Sequence, residues 1–406
     1  MKRFLKITAL TALLIVSLVF AFACGGDSGE KEIGLKFKVF SGDDYYTLYE
    51  YDGEDVTLEI PAEYKGKKVG RIKKGAFEGN ATVKTLVVPS SVETIEGGAF
   101  GKMVALEEIT LPFVGINDGG ETLLNKNNVS DKDKAVDEKR TFAYLFSTSE
   151  YDGGVSVTGY KNDTDSGTAY YLPSNLSTVK IIPAENYGIP ACAFKGNGIL
   201  TSVVFGDKVT EIGEYAFDGC DLLGDVLINK EITAIDAYAF RGCKALKTLA
   251  FENDSSLKTI GAHAFEANGF NSLVLPEGLE IIEDNAFASK IENKAVSVYS
   301  TISEITLPKS LKTVGRFAFF HCEKLVAVKI AEGADINIKE SAFASCTALR
   351  RFDSDRDFTV DLTKVNEVCS LAFGFIELPE GKSFNVIYTG SSFLAEAFDG
   401  TDFVNA

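Results

Sequence analysis

Apolar residues recur along this chain at fixed distances from an Ala-Phe pair. Most pairs follow one another after 22 to 25 residues, two steps are 32 and 30 residues long, and one is 94. The phenylalanines are Phe77, Phe100, Phe194, Phe217, Phe240, Phe265, Phe287, Phe319, Phe343, Phe373 and Phe398. Because a regular period in the low twenties is typical of stacked repeats, the pattern predicts a solenoid.

The other positions of the repeat keep a constant phase to the Phe. A β-rich run ends eleven residues before it, often on a proline such as Pro89 or Pro308, and Leu and Ile follow eight and five residues before it. This order predicts a strand that pairs in parallel with the next repeat, is ended by Pro, and leads into a short helical or 3-10 turn. A glycine commonly comes next to the Ile, as at Gly213 and Gly261, where we expect it to allow a turn.

The segment from Leu311 to Cys322, LKTVGRFAFFHC, resembles the BspA-like leucine-rich repeat of bacterial surface proteins. The resemblance runs from about Val56 to the C-terminus. It implies a β-rich, α/β horseshoe-like leucine-rich-repeat solenoid with one parallel strand per repeat. It also implies a protein on the cell surface that binds host matrix proteins or other bacteria.

The N-terminus is typical of an exported lipoprotein. Basic residues from Lys2 to Lys6 precede an apolar run over 7–23, which is too short for an ordinary membrane span. Ala21-Phe22-Ala23-Cys24 resembles a bacterial lipobox, and this resemblance implies lipid attachment at Cys24. Residues 1–23 are then a lipoprotein signal peptide and 24–32 a flexible tether. The alternative is an ordinary signal peptide in which Cys24 has no role.

After the tether, the pattern divides the chain into a cap and a solenoid. Residues 33–75 are expected to form an N-terminal cap with a degenerate first repeat, and 76–406 the leucine-rich-repeat solenoid. We interpret the long steps at 289–300 and 351–368 as enlarged loops.

The 94-residue step contains an insertion at about 113–175. Its first part, 115–140, is rich in Asp, Asn, Lys and Gly and predicts an exposed loop. Its second part predicts a β-hairpin or small β subdomain that projects from the solenoid. Its aromatic residues are candidates for ligand contact, unless they only pack the insertion on the solenoid. They are Tyr144, Phe146, Tyr151, Tyr160, Tyr170 and Tyr171.

Four cysteines share one phase of the repeat. Cys220, Cys243, Cys322 and Cys346 all follow the Phe by three residues. One shared phase indicates one buried slot, so we expect a ladder of reduced thiols that behave as small apolar groups. A disulfide staple is the competing interpretation for an exported protein. Cys192 and Cys369 lie off this phase.

Composition and charge narrow the functions that remain. The net charge of −17 argues against binding to nucleic acid and against electrostatic docking on anionic lipid. His263 and His321 fall on repeat positions without a nucleophile motif, and the acids Asp353, Asp355 and Asp357 lack the glycine and distal glutamate of a calcium loop. We therefore expect no enzyme activity, no cofactor and no metal.

These observations favour a binding protein over an enzyme. We expect a monomer, held at the bacterial cell envelope by a lipid anchor, that presents a broad face to a protein or glycan on host matrix or other cells. The alternative is a structural, envelope-organising protein that self-associates and has no host ligand.

Overall fold

The structure is a computed structural model of the 406-residue chain. It describes residues 34–115, 138–160, 166–292, 295–298, 301–388 and 395–405. The predicted signal peptide, Cys24, the tether and most of the expected loop at 115–140 lie outside these residues. Gly34–Ala406 form one compact unit.

The described residues are almost entirely strands and turns. Strands β1–β16 are Leu35–Lys38, Tyr46–Tyr51, Thr57–Glu59, Glu63–Tyr64, Lys67–Ile72, Thr85–Val87, Thr94–Ile95, Glu108–Leu111, Gly154–Gly159, Thr168–Pro173, Thr178–Ile181, Tyr187–Ile189, Ser202–Phe205, Val209–Ile212, Val226–Ile228 and Ala234–Ile235. Strands β17–β31 are Thr248–Phe251, Thr259–Ile260, Ser272–Leu273, Ile281–Ile282, Lys290–Glu292, Ala295–Val298, Glu304–Leu307, Thr313–Val314, Ala327–Ile330, Ile336–Ile338, Arg351–Phe352, Thr359–Asp361, Val365–Val368, Phe384–Ile387 and Phe403–Asn405. Three 3-10 turns cover Glu138–Arg140, Phe142–Leu145 and Ala395–Phe398.

The strands stack into a parallel β-solenoid of about 13 turns, which confirms the predicted fold class. Most turns contribute two strands to two different sheets. The first sheet face contains β3, β6, β8, β11 and β13, continues in β15, β17 and β19, and ends in β23, β25, β27, β28, β30 and β31. The second sheet face begins with β2, β5 and β7 and continues from β12 through β14, β16, β18, β20, β24 and β26 to β29. The second strand of each turn holds the Ile of the repeat and was not separately predicted.

The Ala-Phe pairs form a third ladder along the solenoid. The backbone N–H of Phe240 donates to the carbonyl of Ala264 one turn later at 2.8 Å, and Phe265 donates to Ala286 at the same distance. The phenyl rings from Phe194 to Phe398 stack with centroids 4.9 to 5.8 Å apart and planes within 17° of parallel. Each ring therefore fills one turn and also covers the ring of the next.

Two columns of residues beside the Phe have left-handed backbone conformations. The residue two before and the residue two after the Phe have positive φ, as Tyr238 (59°) and Gly242 (70°) show around Phe240. Many of these residues are not glycine: Lys102, Cys192, Tyr215, Tyr238, His263, Ala267, Asn285, Phe317, His321, Ser341, Ser345, Leu371 and Phe375. An L-residue pays about 1 kcal/mol or more for this conformation, so the ladder holds the backbone against its local preference.

The glycines beside the Ile act through close packing, which corrects the expectation that they allow a turn. Gly213, Gly261 and Gly315 do not have positive φ. A β-carbon on Gly261 would lie 2.6 Å from the carbonyl carbon of Asp236, and one on Gly315 would lie 2.5 Å from that of Glu283. These positions need glycine because successive backbones approach each other closely there.

The cysteine ladder is built from reduced thiols, as predicted. Cys220, Cys243, Cys322 and Cys346 are buried and not in disulfides. Each thiol donates to the carbonyl of the Phe one turn earlier, as Cys243 does to Phe217 at 3.2 Å. Asn268 fills the same position and donates its amide to Phe240 at 3.0 Å, whereas Met103 and Ile376 fill it with buried side chains that have no donor.

Part of the insertion replaces a turn of the solenoid instead of projecting from it. β8 pairs directly with β11, so the first sheet face continues across the 94-residue step. Phe100 donates to Leu145 at 3.0 Å, and Phe142 donates to Ala193 at 2.8 Å. The rings of Phe142 and Phe146 bridge Phe100 and Phe194 in the same way. Beyond this turn, β9 and β10 form the predicted hairpin.

The two other long steps differ from each other. The segment 289–300 contains the antiparallel pair β21 and β22. The interpretation of 351–368 as a loop is wrong, because β27, β28 and β29 all lie in it and β27 and β28 pair in parallel. Phe352 contacts the rings of Phe343 and Phe373 edge-on, so this extra strand is part of the core.

Replacement of Gly261 by Ala tests the close-packing role. We expect Gly261→Ala to lower the free energy of unfolding by about 1–3 kcal/mol, because its β-carbon would meet backbone atoms at 2.6–2.9 Å. Gly188→Ala is the matched control, since the nearest neighbour of its β-carbon is the Glu211 β-carbon at 3.6 Å. Urea unfolding followed by circular dichroism measures both. Equal losses in the two variants would contradict the assignment.

Thiol labelling of the native protein tests the cysteine ladder. Burial raises the pKa of Cys322 to about 12 and raises the pKa of Cys243 and Cys346 well above the usual value. At pH 8 we expect these thiols to react at least about 100-fold more slowly than the partly exposed Cys369, because the thiolate is the nucleophile. Iodoacetamide labelling with mass spectrometry gives the rate at each site, and urea should equalise the rates. Fast native labelling of the ladder would refute it.

Candidate binding surface

The outward residues of the first sheet face are apolar in the central turns and polar or charged in several other turns. Strand residues alternate between core and solvent, so Val203 and Phe205 are buried on either side of Val204, which is 38% exposed. Leu273 and Leu275 are likewise buried on either side of Val274, which is 64% exposed.

Four consecutive turns place an apolar side chain at this outward position. We call Val204, Leu227, Ala250 and Val274 the central strip. Leu227 lies opposite Ala250 in the strand register, and Leu249 lies opposite Leu273, which puts Val274 next to Ala250. Ile182, at the end of the preceding strand, is 44% exposed and extends the apolar area. The strip is therefore a row of apolar side chains along one sheet face, in which Val204 and Val274 are exposed and Leu227 and Ala250 are half-exposed.

Ion pairs occupy the same face on both sides of the central strip. Before it, Lys84 binds Glu107 at 2.7 Å and Lys180 binds Glu108 at 2.6 Å. After it, Arg351 lies 3.5 Å from Glu304. Several outward charges of these flanking turns are therefore paired within the face, whereas the strip presents side chains that have no polar group.

The second sheet face is also crossed by ion pairs. Glu280 lies between Lys258 and Lys312, and hydrogen bonds from these lysines lower the pKa of Glu280. The hydrogen bond to Glu367 similarly raises the pKa of Lys339. These contacts join side chains from successive turns, so their charges are already matched within the protein.

A shallow depression of about 700 Å³ lies on this second face, next to the exposed side chain of Ile281. Its acids are engaged with the backbone of a neighbouring turn. Glu283 accepts a hydrogen bond from the N–H of Ala262 at 3.0 Å, and Asp284 accepts one from the N–H of Arg316 at 2.7 Å. The depression follows from the stacking of turns and carries no chemistry of its own.

Aromatic rings line the third side, beside the Phe ladder. Tyr215 stacks on Tyr238 at 4.6 Å, and Tyr238 stacks on His263 at 4.6 Å. Arg241 lies over Tyr238 and binds Asp218 at 2.8 Å. The rings cover each other's faces, so they do not offer the open aromatic face on which a sugar stacks.

Both histidines lie half-buried at positions with positive φ. His263 lies 2.8 Å from the carboxylate of Glu266. Burial lowers the pKa of His321. Within the ranges that the structure describes, no group of three or more His, Cys, Asp and Glu side chains could hold a metal ion, and no helix has the length and apolar character to cross a membrane.

Three of the six candidate aromatics of the insertion pack against the solenoid. Phe146 and Tyr170 are 1% and 4% exposed, which corrects their assignment as ligand contacts. Tyr144 is half-buried and packs on Gly97, where a β-carbon would collide with its ring. These three residues fit the alternative interpretation, in which the aromatics only pack the insertion on the solenoid.

The other three aromatics keep part of their surface in solvent. Tyr151 covers Gly154, and the Lys195 ammonium lies 4.9 Å from the centre of the Tyr160 ring. Tyr171 forms an isolated bridge with Ser147. The insertion therefore supplies three aromatics that are partly exposed.

Sequence reasoning missed the central strip. The signal was present in the strand sequences. The middle outward residue is Val, Leu, Ala and Val in the four turns over 204–274. In other turns it is Thr or a charged residue, as at Thr110, Lys180, Thr306 and Lys329. The signal was hidden because strands buried on both sides also read as apolar runs.

Comparison with known proteins agrees with this architecture. The BspA type leucine rich repeat region matches residues 60–148, 166–293 and 288–373, in six copies. The chain belongs to this family. The family consists of leucine-rich-repeat surface proteins that are commonly linked to binding and adhesion and are typically non-catalytic.

Several solved structures are similar to the chain at low sequence identity. A leucine-rich repeat protein from Bacteroides ovatus is 19% identical over 90% of this chain and 91% of that chain, with a TM-score of 0.40. A leucine rich cell surface protein from Faecalibacterium prausnitzii is 16% identical over 94% and 95%, with a TM-score of 0.32. The pneumococcal vaccine antigen PcpA is 15% identical over 87% and 80%, with a TM-score of 0.28. No curated protein matches the chain.

Proposed function

We propose that this protein is a lipid-anchored binding protein of the bacterial surface that recognises a protein ligand through the central strip. The observation that carries the proposal is the exposure of Val204 and Val274 on a regular, ion-paired face. An apolar ridge in water gains free energy when a partner covers it, at about 25 cal/mol for each Å² of apolar area.

The scaffold makes the strip suited to binding. Val204 lies in β13 and Val274 directly follows β19. The residues on both sides of each are buried, so the positions of the two side chains are set before a partner arrives. A surface that is ordered in advance loses little conformational entropy on association. Exposed contiguous apolar surface on a soluble face is also a general mark of an interaction site.

Acidic residues at the neighbouring corner define the chemistry of the partner. The turns that follow the strip strands carry the exposed or half-exposed acids Glu185, Asp207, Glu231, Glu252, Asp254 and Glu277. The same corners carry the cations Lys208 and Lys230. Because acids outnumber cations, the surface favours a ligand that presents apolar side chains beside lysine or arginine, and it disfavours anionic glycans.

Acylation of Cys24 is proposed as the means of retention at the envelope. It is supported by the basic N-terminus, the short apolar run and the Cys that follows it. An attached lipid would hold the solenoid at the membrane surface, where a rigid binding face can meet large ligands.

Charge introduced into the strip tests the binding face. We expect Val204→Asp combined with Val274→Asp to weaken ligand binding by about tenfold or more, because the ligand would have to desolvate two carboxylates. The matched control combines Val56→Asp and Val155→Asp, which change the same residue type at 56% and 36% exposure outside the strip. Surface plasmon resonance against fibronectin, laminin, fibrinogen and collagen, together with a glycan array, supplies the measurement.

Two results would overturn this function. The first is a ligand that binds the strip variant and the wild-type protein equally well. The second is a wild-type protein that binds no member of the panel but forms oligomers in analytical ultracentrifugation that the strip variant lacks. That second result would assign the strip to self-association, the structural alternative.

Fractionation tests the anchor separately. We expect Cys24→Ser to move the protein from the membrane fraction to the soluble fraction or the medium, because the thiol that accepts the lipid is lost. Metabolic labelling with a palmitate analogue should mark the wild type and not the variant. Cys369→Ser is the control, since this partly exposed thiol lies in the solenoid. Membrane retention of the Cys24 variant would refute acylation.

A further inference from the structure

A short basic segment lies at the start of the solenoid in this acidic chain. Between Tyr64 and Phe77 there are six basic residues and no acid: Lys65, Lys67, Lys68, Arg71, Lys73 and Lys74. The segment contains β5, which pairs with β2, β4 and β7 and so lies within the cap sheet.

The sheet register gathers these cations on one outward face. Lys38 on β1 and Arg71 on β5 both lie opposite Thr47 on β2. We call Lys38, Lys68, Arg71 and Lys73, with Phe40 and Tyr45, the basic cap patch. Its cations come from two segments, Lys38 in β1 and Lys68, Arg71 and Lys73 in or directly after β5. The fold therefore brings together a local positive charge that the net charge of the whole chain does not reveal.

Aromatic rings alternate with the cations of the patch. The ammonium groups of Lys38 and Lys73 lie 5.3 and 5.4 Å from the centre of the Phe40 ring. Lys68 and Arg71 lie 5.8 and 5.4 Å from the centre of the Tyr45 ring. These contacts hold the cations side by side on a partly apolar surface.

Only part of this positive charge is neutralised. Lys68 binds Glu93 at 2.7 Å, and Arg71 lies 3.7 Å from Asp43. Within the described residues, Lys38, Lys65, Lys67 and Lys73 form no ion pair. Most lysines on the faces of later turns are paired with acids, so the cap is the place where uncompensated cations accumulate.

We infer that the basic cap patch rests on the anionic phospholipid headgroups of the membrane to which the chain is attached. Lysines that cannot pair within the protein can pair with lipid phosphates, and aromatic rings between them suit the interface between headgroups and acyl chains. The net charge of −17 does not prevent this, because charges more than about 10 Å away are screened at physiological salt.

The position of the patch in the chain supports a membrane over a more distant polyanion. This step rests on the proposed anchor at Cys24. Gly34 follows Cys24 by ten positions, a stretch that can span at most about 35 Å. A lipid at Cys24 would therefore keep the patch close to the headgroups and make a weak local attraction effective. Two signals, a lipid and a basic patch, together give a firmer attachment than either alone.

Lysine footprinting of the membrane-bound protein tests the inference. The full chain, purified from membranes, is reconstituted in vesicles of phosphatidylcholine alone or with about one third phosphatidylglycerol. Acetylation by a sulfosuccinimidyl ester, followed by mass spectrometry, gives the rate at each lysine. We expect Lys38, Lys68 and Lys73 to react at least about threefold more slowly on the anionic vesicles, and high salt to remove the difference. The exposed Lys324 and Lys329 are internal controls and should not change.

A charge-reversal variant provides a second readout. In the variant that combines Lys38→Glu and Lys73→Glu, the protection of Lys68 should disappear, while the variant still sediments with the vesicles. Lys324→Glu combined with Lys329→Glu is the matched control and should keep the protection.

Two results would overturn the inference. One is equal acetylation of the patch on the two kinds of vesicle. The other is equal protection by soluble polyphosphate on phosphatidylcholine vesicles, which would assign the patch to a soluble polyanion. Failure of the anchor is distinguishable, because it abolishes sedimentation with both kinds of vesicle and does not depend on headgroup charge.

Discussion

The hydrogen bond from the Phe N–H to the Ala carbonyl one turn later, which nearly every repeat makes, determines how this protein is built. It fixes the turn that joins the second strand to the first strand of the next repeat. In doing so, it places the phenyl ring over its successor, at 5.3 Å for Phe240 and Phe265. The Ala must be small for the backbones to meet, and the Phe must be large to fill the interior. This pairing accounts for the dependence of the core on one aromatic residue.

Other features follow from the same constraint. The backbone beside the Phe adopts positive φ even at Tyr238 and His263, because the ladder bonds outweigh a local cost of about 1 kcal/mol. Gly261 is needed because the turns approach so closely at that point. Cys243 and Asn268 complete the arrangement by donating to the Phe carbonyl that the ladder leaves available. The interior residues therefore hold the turns together, and a ligand can be contacted only by residues that point outward.

Much of the fold could be predicted from the sequence, because the Ala-Phe period reports a contact between neighbouring turns. The free thiols followed from the common phase of Cys220 and Cys243. The replacement turn in the insertion could not be predicted, because Phe142 and Phe146 reach the ladder from positions outside the period. The candidate surfaces were harder to foresee. The sequence of a strand does not show which of its residues point to solvent. The net charge of the whole chain does not show that Lys38 and Lys73 lie around Phe40 in the cap.

The three ladders also decide how the solenoid would respond to mechanical tension. In most turns the hydrogen bonds of both sheets and of the Ala-Phe column link one turn to the next, so a pull along the stack acts on all three columns together. If the chain is held at its N-terminus and a ligand is bound at the central strip, only the turns between the cap and Val274 are stretched. The turns after Val274 would carry no tension. The number of turns beyond the strip would therefore not change the force that the solenoid has to bear.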